Sequence, residues 1–282
     1  MSSSCFWHVY VQQNGTKFRC LFEETDRYSM KCEYLSAEQY LRLASSHRIR
    51  SLTIGRDEFP QGYEVACGSL KAEEMKKLVG VLAERFCSES SKLAVDADCE
   101  TSPVFELCLE ELHQKVHFSE LLLPTIGRLE LRFLEDQLKS GELKRLQPRG
   151  EWPEETKDLV KDLVRQKQFE WFDNHELRGS GLSLDLPFLE TLLVEWESEV
   201  ADLKSKEIWF RPAFSFDDAA ALRGASVQEG NKRIFFRHRE EEAVVELNFA
   251  EEGNVSLRLV KCTCGDEGDF CWFCSLFEEE EL

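Results

Sequence analysis

The feature that most constrains the fold is a spacing of apolar residues that returns along the chain. Ile49, Leu52 and Ile54 stand at positions i, i+3 and i+5. The same spacing returns at Phe118, Leu121 and Leu123, and its first step returns at Leu143 and Leu146 and at Phe169 and Phe172. Phe118 and Leu143 are 25 residues apart, and Leu143 and Phe169 are 26 apart. A period in the twenties with L-x-x-L-x-L-like strands is typical of leucine-rich-repeat-like stacking.

Between these short extended pieces the pattern changes to a helical period. The segments "SLKAEEMKKLVGVLAERF", "SPVFELCLEELHQKV", "RFLEDQLKSGE" and "WPEETKDLVKDLVRQKQ" carry apolar residues at helical spacing. One helix–strand unit cannot bury its apolar face alone, so neighbouring units must stack. The sequence therefore predicts an α/β fold, an irregular leucine-rich-repeat-like solenoid of helix–strand units.

Both ends of this region predict β structure. Two apolar-rich arms surround Asn14-Gly15, a strong hairpin signal, and "AVVELNF" and "VSLRLV" alternate around "EEGN". We therefore expect an N-terminal β-hairpin cap over residues 1–35 and a helix–strand repeat region over 36–230. A β-rich C-terminal cap with a cysteine cluster and an acidic tail is expected over 231–282.

The net charge, the apolar stretches and the cysteine count limit the partners and the compartment that fit this chain. The formal net charge of −19 over 282 residues disfavours nucleic acid and anionic membrane surfaces as partners, because both require a basic face. No signal peptide is evident, and the longest apolar stretch is too short to cross a bilayer. Eleven cysteines without a secretory signal indicate a reducing compartment, the cytoplasm or the nucleus. Seven of the cysteines are scattered, which is typical of small buried hydrophobes.

The other four cysteines form a cluster near the C-terminus, at Cys262, Cys264, Cys271 and Cys274. Two close pairs of thiolates can supply the four soft ligands of a tetrahedral Zn²⁺, and four such ligands make a closed, structural site. The cluster predicts one structural zinc ion as the only cofactor. Free thiols, or a redox pair at Cys271 and Cys274, are the alternatives.

Three segments resemble one known family. They are "SGELKRL" (140–146), "RGEWPEE" (149–155) and "DLVRQKQFEWFD" (162–173), and they look like an expanded family of nematode F-box-associated proteins. The resemblance implies a domain that presents variable surfaces to protein partners, in some relatives as the substrate-binding part of a ubiquitin-ligase receptor. An F-box would be a small helical module at the start, whereas this chain enters a β-hairpin by Phe6. A stand-alone recognition module is therefore expected.

No nucleotide-binding, P-loop or nucleophile-elbow motif occurs, so we expect no catalysis. The leading function is recognition of a protein partner of unknown identity through the strand surface of the solenoid. The alternative is a zinc-binding or redox-responsive protein that acts through its C-terminal cysteines. The expected contact residues lie between the apolar strand positions: Lys144, Arg145, Glu170, Trp171 and Glu207.

Overall fold

The computed structural model divides the chain into two compact units, Met1–Trp152 (unit 1) and Pro153–Leu282 (unit 2). The structure describes residues 6–14, 17–25, 33–43, 48–55, 69–87, 90–96, 102–124, 127–149, 152–173, 183–199, 206–238, 243–250 and 253–261. These residues form fifteen strands and seven α-helices, so the expected mixed α/β class is confirmed. The three-segment division of the chain stays a prediction.

Unit 1 contains eight strands among its described residues. They are β1 (Phe6–Asn14), β2 (Lys17–Thr25), β3 (Glu33–Ser36), β4 (Arg48–Gly55), β5 (Ser69–Leu70), β6 (Lys92–Val95), β7 (Glu120–Leu123) and β8 (Arg145–Pro148). Seven of them lie in the order β3-β2-β1-β4-β6-β7-β8, and β5 pairs with β2. β1 and β2 are antiparallel, which confirms the predicted hairpin. From β1 onward through β4, β6, β7 and β8, each strand is parallel to its neighbour.

A helix precedes each of the last three parallel strands. The helices of unit 1 are α1 (Ala37–Leu41), α2 (Ala72–Ala83), α3 (Pro103–Leu112) and α4 (Arg128–Ser140). α2 packs on α3 and α3 on α4, while β6, β7 and β8 follow one another in the sheet. The core consists of the apolar stripes of these helices and the apolar strand positions, including Phe105, Leu121 and Leu146, which are fully buried. The predicted alternation of helix and short strand is therefore present here.

Buried thiols form part of this core. Cys20 in β2 and Cys108 in α3 are buried, as the interpretation of scattered cysteines as small hydrophobes predicts. Burial raises the pKa of the Cys108 thiol to about 12, so it stays protonated and unreactive at neutral pH.

Helix α4 ends in a left-handed glycine, Gly141, at φ 70° and ψ 14°. A side chain at this φ would crowd the following carbonyl, so Gly141→Ala is expected to lower the free energy of unfolding by about 1 kcal/mol. Urea denaturation measures the change. Gly230→Ala is the matched control, because a methyl group at Gly230 meets nothing within 4 Å and its φ is not positive. Equal stability of the two variants would contradict the capping role.

Unit 2 contains seven strands and three α-helices among its described residues. The strands are β9 (Trp171–Asp173), β10 (Ser183–Leu184), β11 (Lys206–Pro212), β12 (Ala225–Gln228), β13 (Arg233–Arg237), β14 (Ala243–Phe249) and β15 (Val255–Lys261). The helices are α5 (Thr156–Arg165), α6 (Leu186–Glu199) and α7 (Phe216–Ala220). β14 and β15 are antiparallel, which confirms the pair predicted from "AVVELNF" and "VSLRLV".

The sheet of unit 2 changes direction at β11. β11 is parallel to β9 on one side and antiparallel to β15 on the other, and β15, β14, β13 and β12 follow in that order as antiparallel neighbours. The last described strand therefore pairs with β11, inside the sheet. Along β11 the burial alternates: Lys206, Ile208 and Phe210 are buried, whereas Glu207 and Trp209 are half-buried.

Candidate recognition surface

One face of the unit 1 sheet is polar because its strands alternate. In β6, Leu93 and Val95 are buried whereas Lys92 and Ala94 are half-buried. Directly opposed residues of neighbouring strands share a face. The register therefore puts the following side chains side by side, in what we call the unit 1 row: His8, Ser51, Lys92, Glu120 and Arg145.

Charges alternate along one end of the unit 1 row. The Lys92 ammonium donates to Glu120 Oε1 at 2.5 Å. Arg145 lies opposite Glu120 on the other side and is exposed, and its guanidinium engages no other side chain in the described part of the chain. The row therefore offers an unengaged cation beside a neutralised pair.

The other end of the unit 1 row carries no positive charge at neutral pH. His8 is half-buried and hydrogen-bonded to the Ser51 hydroxyl. Burial lowers the pKa of His8, with Arg50 and Lys92 adding to the effect and the Glu23 carboxylate opposing it. The imidazole is therefore neutral at pH 7 and presents a polar, uncharged group on this face.

Unit 2 has a comparable row on the face of its sheet opposite Ile208. Register pairs Trp171 with Glu207, Glu207 with Arg258, and Arg258 with Glu246, and we call these four residues the unit 2 row. Arg258 donates to Glu207 Oε1 from Nε at 3.2 Å and from Nη2 at 3.0 Å. The indole nitrogen of Trp209 donates to the same oxygen at 2.9 Å. One carboxylate therefore fixes a guanidinium and an indole at the sheet surface.

Glu246 closes this row as a buried acid. Only 2% of Glu246 is exposed, and Arg233 Nη1 lies 3.5 Å from its Oε1. Its Oε2 has no hydrogen-bond partner in the described part of unit 2. Burial raises the pKa of Glu246, and the two neighbouring guanidinium groups, Arg233 and Arg258, oppose that shift. Arg258 is thus the cation of the unit 2 row, and burial disfavours the ionised form of the neighbouring Glu246.

The residues predicted as contacts divide between the two units. Lys144 and Arg145 are in unit 1, where Lys144 is half-buried and its amide donates to the Ser119 carbonyl at 2.9 Å. Glu170, Trp171 and Glu207 are in unit 2, and all three are half-buried. Trp171 and Glu207 are cross-strand neighbours, and the Glu170 carbonyl accepts the Glu207 amide at 2.9 Å.

Several members of these rows were not among the expected contacts. They are His8, Ser51, Lys92, Glu120, Arg258 and Glu246, and Trp209, which lies beside the unit 2 row, was not expected either. Lys92 and Glu120 precede apolar strand residues in the same way as Arg145 precedes Leu146, so the repeat itself carried a signal for them. No local pattern indicated Arg258, because its partner Glu207 is 51 residues earlier in the chain.

The predicted metal ligands, Cys262, Cys264, Cys271 and Cys274, lie outside the described residues. Within the described ranges, no group of three or more His, Cys, Asp or Glu side chains is placed to hold a metal ion. The zinc site therefore stays a prediction.

The described residues form a mixed α/β framework whose strands carry polar side chains on one face. Comparison of the chain with protein-family models, with curated proteins and with solved structures found no match. The resemblance to F-box-associated proteins therefore stays a prediction. None of the helices in the described ranges has the length and apolar character needed to cross a membrane.

Proposed function

We propose that this chain is a non-catalytic protein-recognition module that binds a protein partner through the unit 1 row and the unit 2 row. The observation that carries the proposal is the run of Lys92, Glu120 and Arg145 across three neighbouring parallel strands, on the face opposite buried Leu93, Leu121 and Leu146. Residues in such positions are free to vary without disturbing the core, which suits a surface that selects partners.

The arrangement of unit 1 supports a leucine-rich-repeat-like stack as the framework. α2, α3 and α4 each lead into the next parallel strand, and both the helices and the strands are neighbours in chain order. Repeats built in this way create an extended surface from one short strand per repeat. Irregular spacing along the chain makes this stack a degenerate solenoid.

The side chains of the rows favour a protein as the partner. They combine alternating charges with the indole of Trp171, and Trp209 lies beside the unit 2 row on the same face. Tryptophan and arginine are enriched among the residues that dominate binding energy at protein interfaces. The net charge of −19 opposes nucleic acid and favours a partner with a basic surface. We also propose the cytoplasm or nucleus as the compartment, because the chain has eleven cysteines.

Charge changes on the strand faces test this function. The variants are Lys144→Glu with Arg145→Glu in unit 1, and the swap Glu207→Arg with Arg258→Glu in unit 2. The swap keeps an ion pair between β11 and β15 but inverts its direction, so the sheet is expected to fold. Quantitative cross-linking mass spectrometry on the full chain in cells measures which partners remain, and we expect at least about tenfold lower recovery for one or both variants.

Helix-face variants provide the control. Lys76→Glu with Lys77→Glu changes the net charge by the same amount as the unit 1 variant, and both lysines are exposed on α2. This control is expected to keep all partners. Retention of every partner by both strand variants, with unchanged thermal stability, would overturn the proposed function.

The cysteine cluster supports a separate proposal, a structural zinc ion held by Cys262, Cys264, Cys271 and Cys274. Elemental analysis of the purified protein, before and after Cys262→Ser with Cys271→Ser, tests it independently of partner binding.

A further inference from the structure

A cavity of about 200 Å³ lies within unit 2, on the face of its sheet opposite the unit 2 row. It opens between α5, α6 and the buried face of the sheet. Its apolar wall comes from α6 and from three strands: Leu192, Leu193, Ile208, Val245, Leu257 and Leu259. Leu192 and Leu193 stay half-exposed although they line this space, so the packing leaves it unfilled.

One buried lysine, Lys206, is among the residues that line this cavity. Lys206 is 7% exposed, and its Nζ donates to the carbonyls of Val164 at 2.7 Å and Gln166 at 2.9 Å, near the end of α5. An ammonium has three N–H donors, so one remains after these two bonds. Lys206 forms no ion pair with a carboxylate in the described part of the chain. A buried charge without a counter-charge is costly, and a ligand of opposite charge would offset that cost.

The nearest carboxylate at the cavity is already neutralised. Glu195 accepts from Arg165 Nε at 2.8 Å on one oxygen and at 2.9 Å on the other, and Arg165 Nη2 contacts it as well. Lys206, Arg165 and Glu195 are the charged residues that line the cavity, and together they carry one net positive charge. The Asp162 carboxylate also lies 4.0 Å from Arg165 Nη1, but Asp162 is exposed and does not line the cavity.

A second buried donor lines the same space. Trp196 on α6 is 4% exposed, and its indole nitrogen has no hydrogen-bond partner among the described residues. Its ring packs edge-to-face on His238 with the centroids 5.3 Å apart. A buried N–H without an acceptor is uncommon in folded proteins and calls for an explanation. The cavity thus combines apolar walls, an ammonium with a spare donor and an indole N–H without an acceptor.

We propose that this cavity binds a small carboxylic acid in its anionic form, with the carboxylate on Lys206 and the apolar body among the leucines. A cavity of about 150 Å³ holds a benzene ring, so about 200 Å³ accommodates an acid of roughly eight to ten non-hydrogen atoms. A straight-chain acid or a short arylalkanoic acid has this size. Such a ligand would give both unpaired donors an oxygen to bind.

Octanoate and the neutral 1-octanol are the probes, because they share a chain length and differ in the head group. Isothermal titration and ligand-observed NMR on the full chain at neutral pH measure their affinities. We expect octanoate to bind at least about tenfold more tightly than octanol. Lys206→Met keeps the length of the side chain and should remove this preference while octanol still binds. Trp196→Phe should weaken octanoate more than octanol.

Two further variants keep the test decisive. Leu193→Phe fills the cavity and leaves Lys206 in place, so it should abolish binding of both probes even if Lys206→Met fails to fold. Lys232→Met, at an exposed lysine of the same unit, should change nothing. Equal affinity of wild-type protein for the two probes would show an apolar cavity without a carboxylate site. Absence of octanoate binding at millimolar concentration would also overturn the proposal.

Discussion

Gln137→Leu is expected to lower the free energy of unfolding by about 2–5 kcal/mol, because it leaves two buried backbone groups without partners. Gln137 lies on α4 and is fully buried. Its Oε1 accepts the Phe118 amide at 2.7 Å, and its Nε2 donates to the Val116 carbonyl at 2.8 Å. Both groups belong to the segment that leads from α3 into β7. The Gln137 side chain therefore provides the hydrogen-bond partners of one backbone amide and one backbone carbonyl in this turn.

Urea denaturation of the full chain and hydrogen exchange at the Val116–Phe118 amides measure this effect. Gln137→Glu is an informative second variant. Its buried carboxylate would accept the Phe118 amide but repel the Val116 carbonyl, whereas the protonated acid can also donate to Val116. Its loss of stability relative to the wild-type protein should therefore be smaller at acidic pH than at neutral pH. Gln147→Leu is the matched control, because Gln147 is half-buried on the polar face of β8. A change within about 0.5 kcal/mol for Gln137→Leu would show that water satisfies this turn instead.

Relative to a Lys206→Met variant, the wild-type protein is expected to gain about 2–3 kcal/mol of stability as the pH rises from 7 to about 10.5. Burial lowers the pKa of Lys206 from 10.5 to about 8, and the Glu195 carboxylate partly opposes the shift. Between those values the unfolded chain binds more protons than the folded chain does. Stability therefore rises with pH in this window, and below about pH 8 the cost of the buried charge is fully present.

Denaturation of the two proteins at a series of pH values gives the difference in unfolding free energy directly. Other titrating groups cancel in this difference, because they are common to both proteins. Lys139→Met, at an exposed lysine on α4, is the control for removal of one lysine charge. A difference for Lys206→Met that does not vary with pH would mean that the Lys206 ammonium is solvated in the folded protein.

Local patterns in the sequence were enough to predict most elements. Asn14-Gly15 predicted the β1–β2 hairpin, the apolar spacing around Leu121 and Leu146 predicted β7 and β8, and the helical periods predicted α2 to α5. These features depend on residues close together in the chain. Periodicity reports which face of an element is buried, and that information is local.

The neighbours of each strand were harder to predict, because pairing is a long-range property. The C-terminal strands were expected to cap the end of the repeat region, but the sequence did not indicate which strand they would pair with. β15 pairs with β11, where Glu207 and Arg258 are 51 residues apart. The alternation in "VSLRLV" fits an edge strand and a central strand equally well. Local alternation was enough to predict that Trp171 and Glu207 face away from the core. It could not predict that the Arg258 guanidinium binds Glu207, because Arg258 is distant in the chain.

The position of β15 has a consequence for how the chain matures on the ribosome. In unit 1, β4, β6, β7 and β8 join the sheet in the order of their synthesis, so each can dock as it emerges. In unit 2, β11 lies next to β15, and about forty residues must be translated between the end of the first strand and the start of the second. Until then the β15-facing edge of β11 is open, so nascent unit 2 exposes an unpaired strand edge over an interval in which β4, β6, β7 and β8 of unit 1 can already pair with one another.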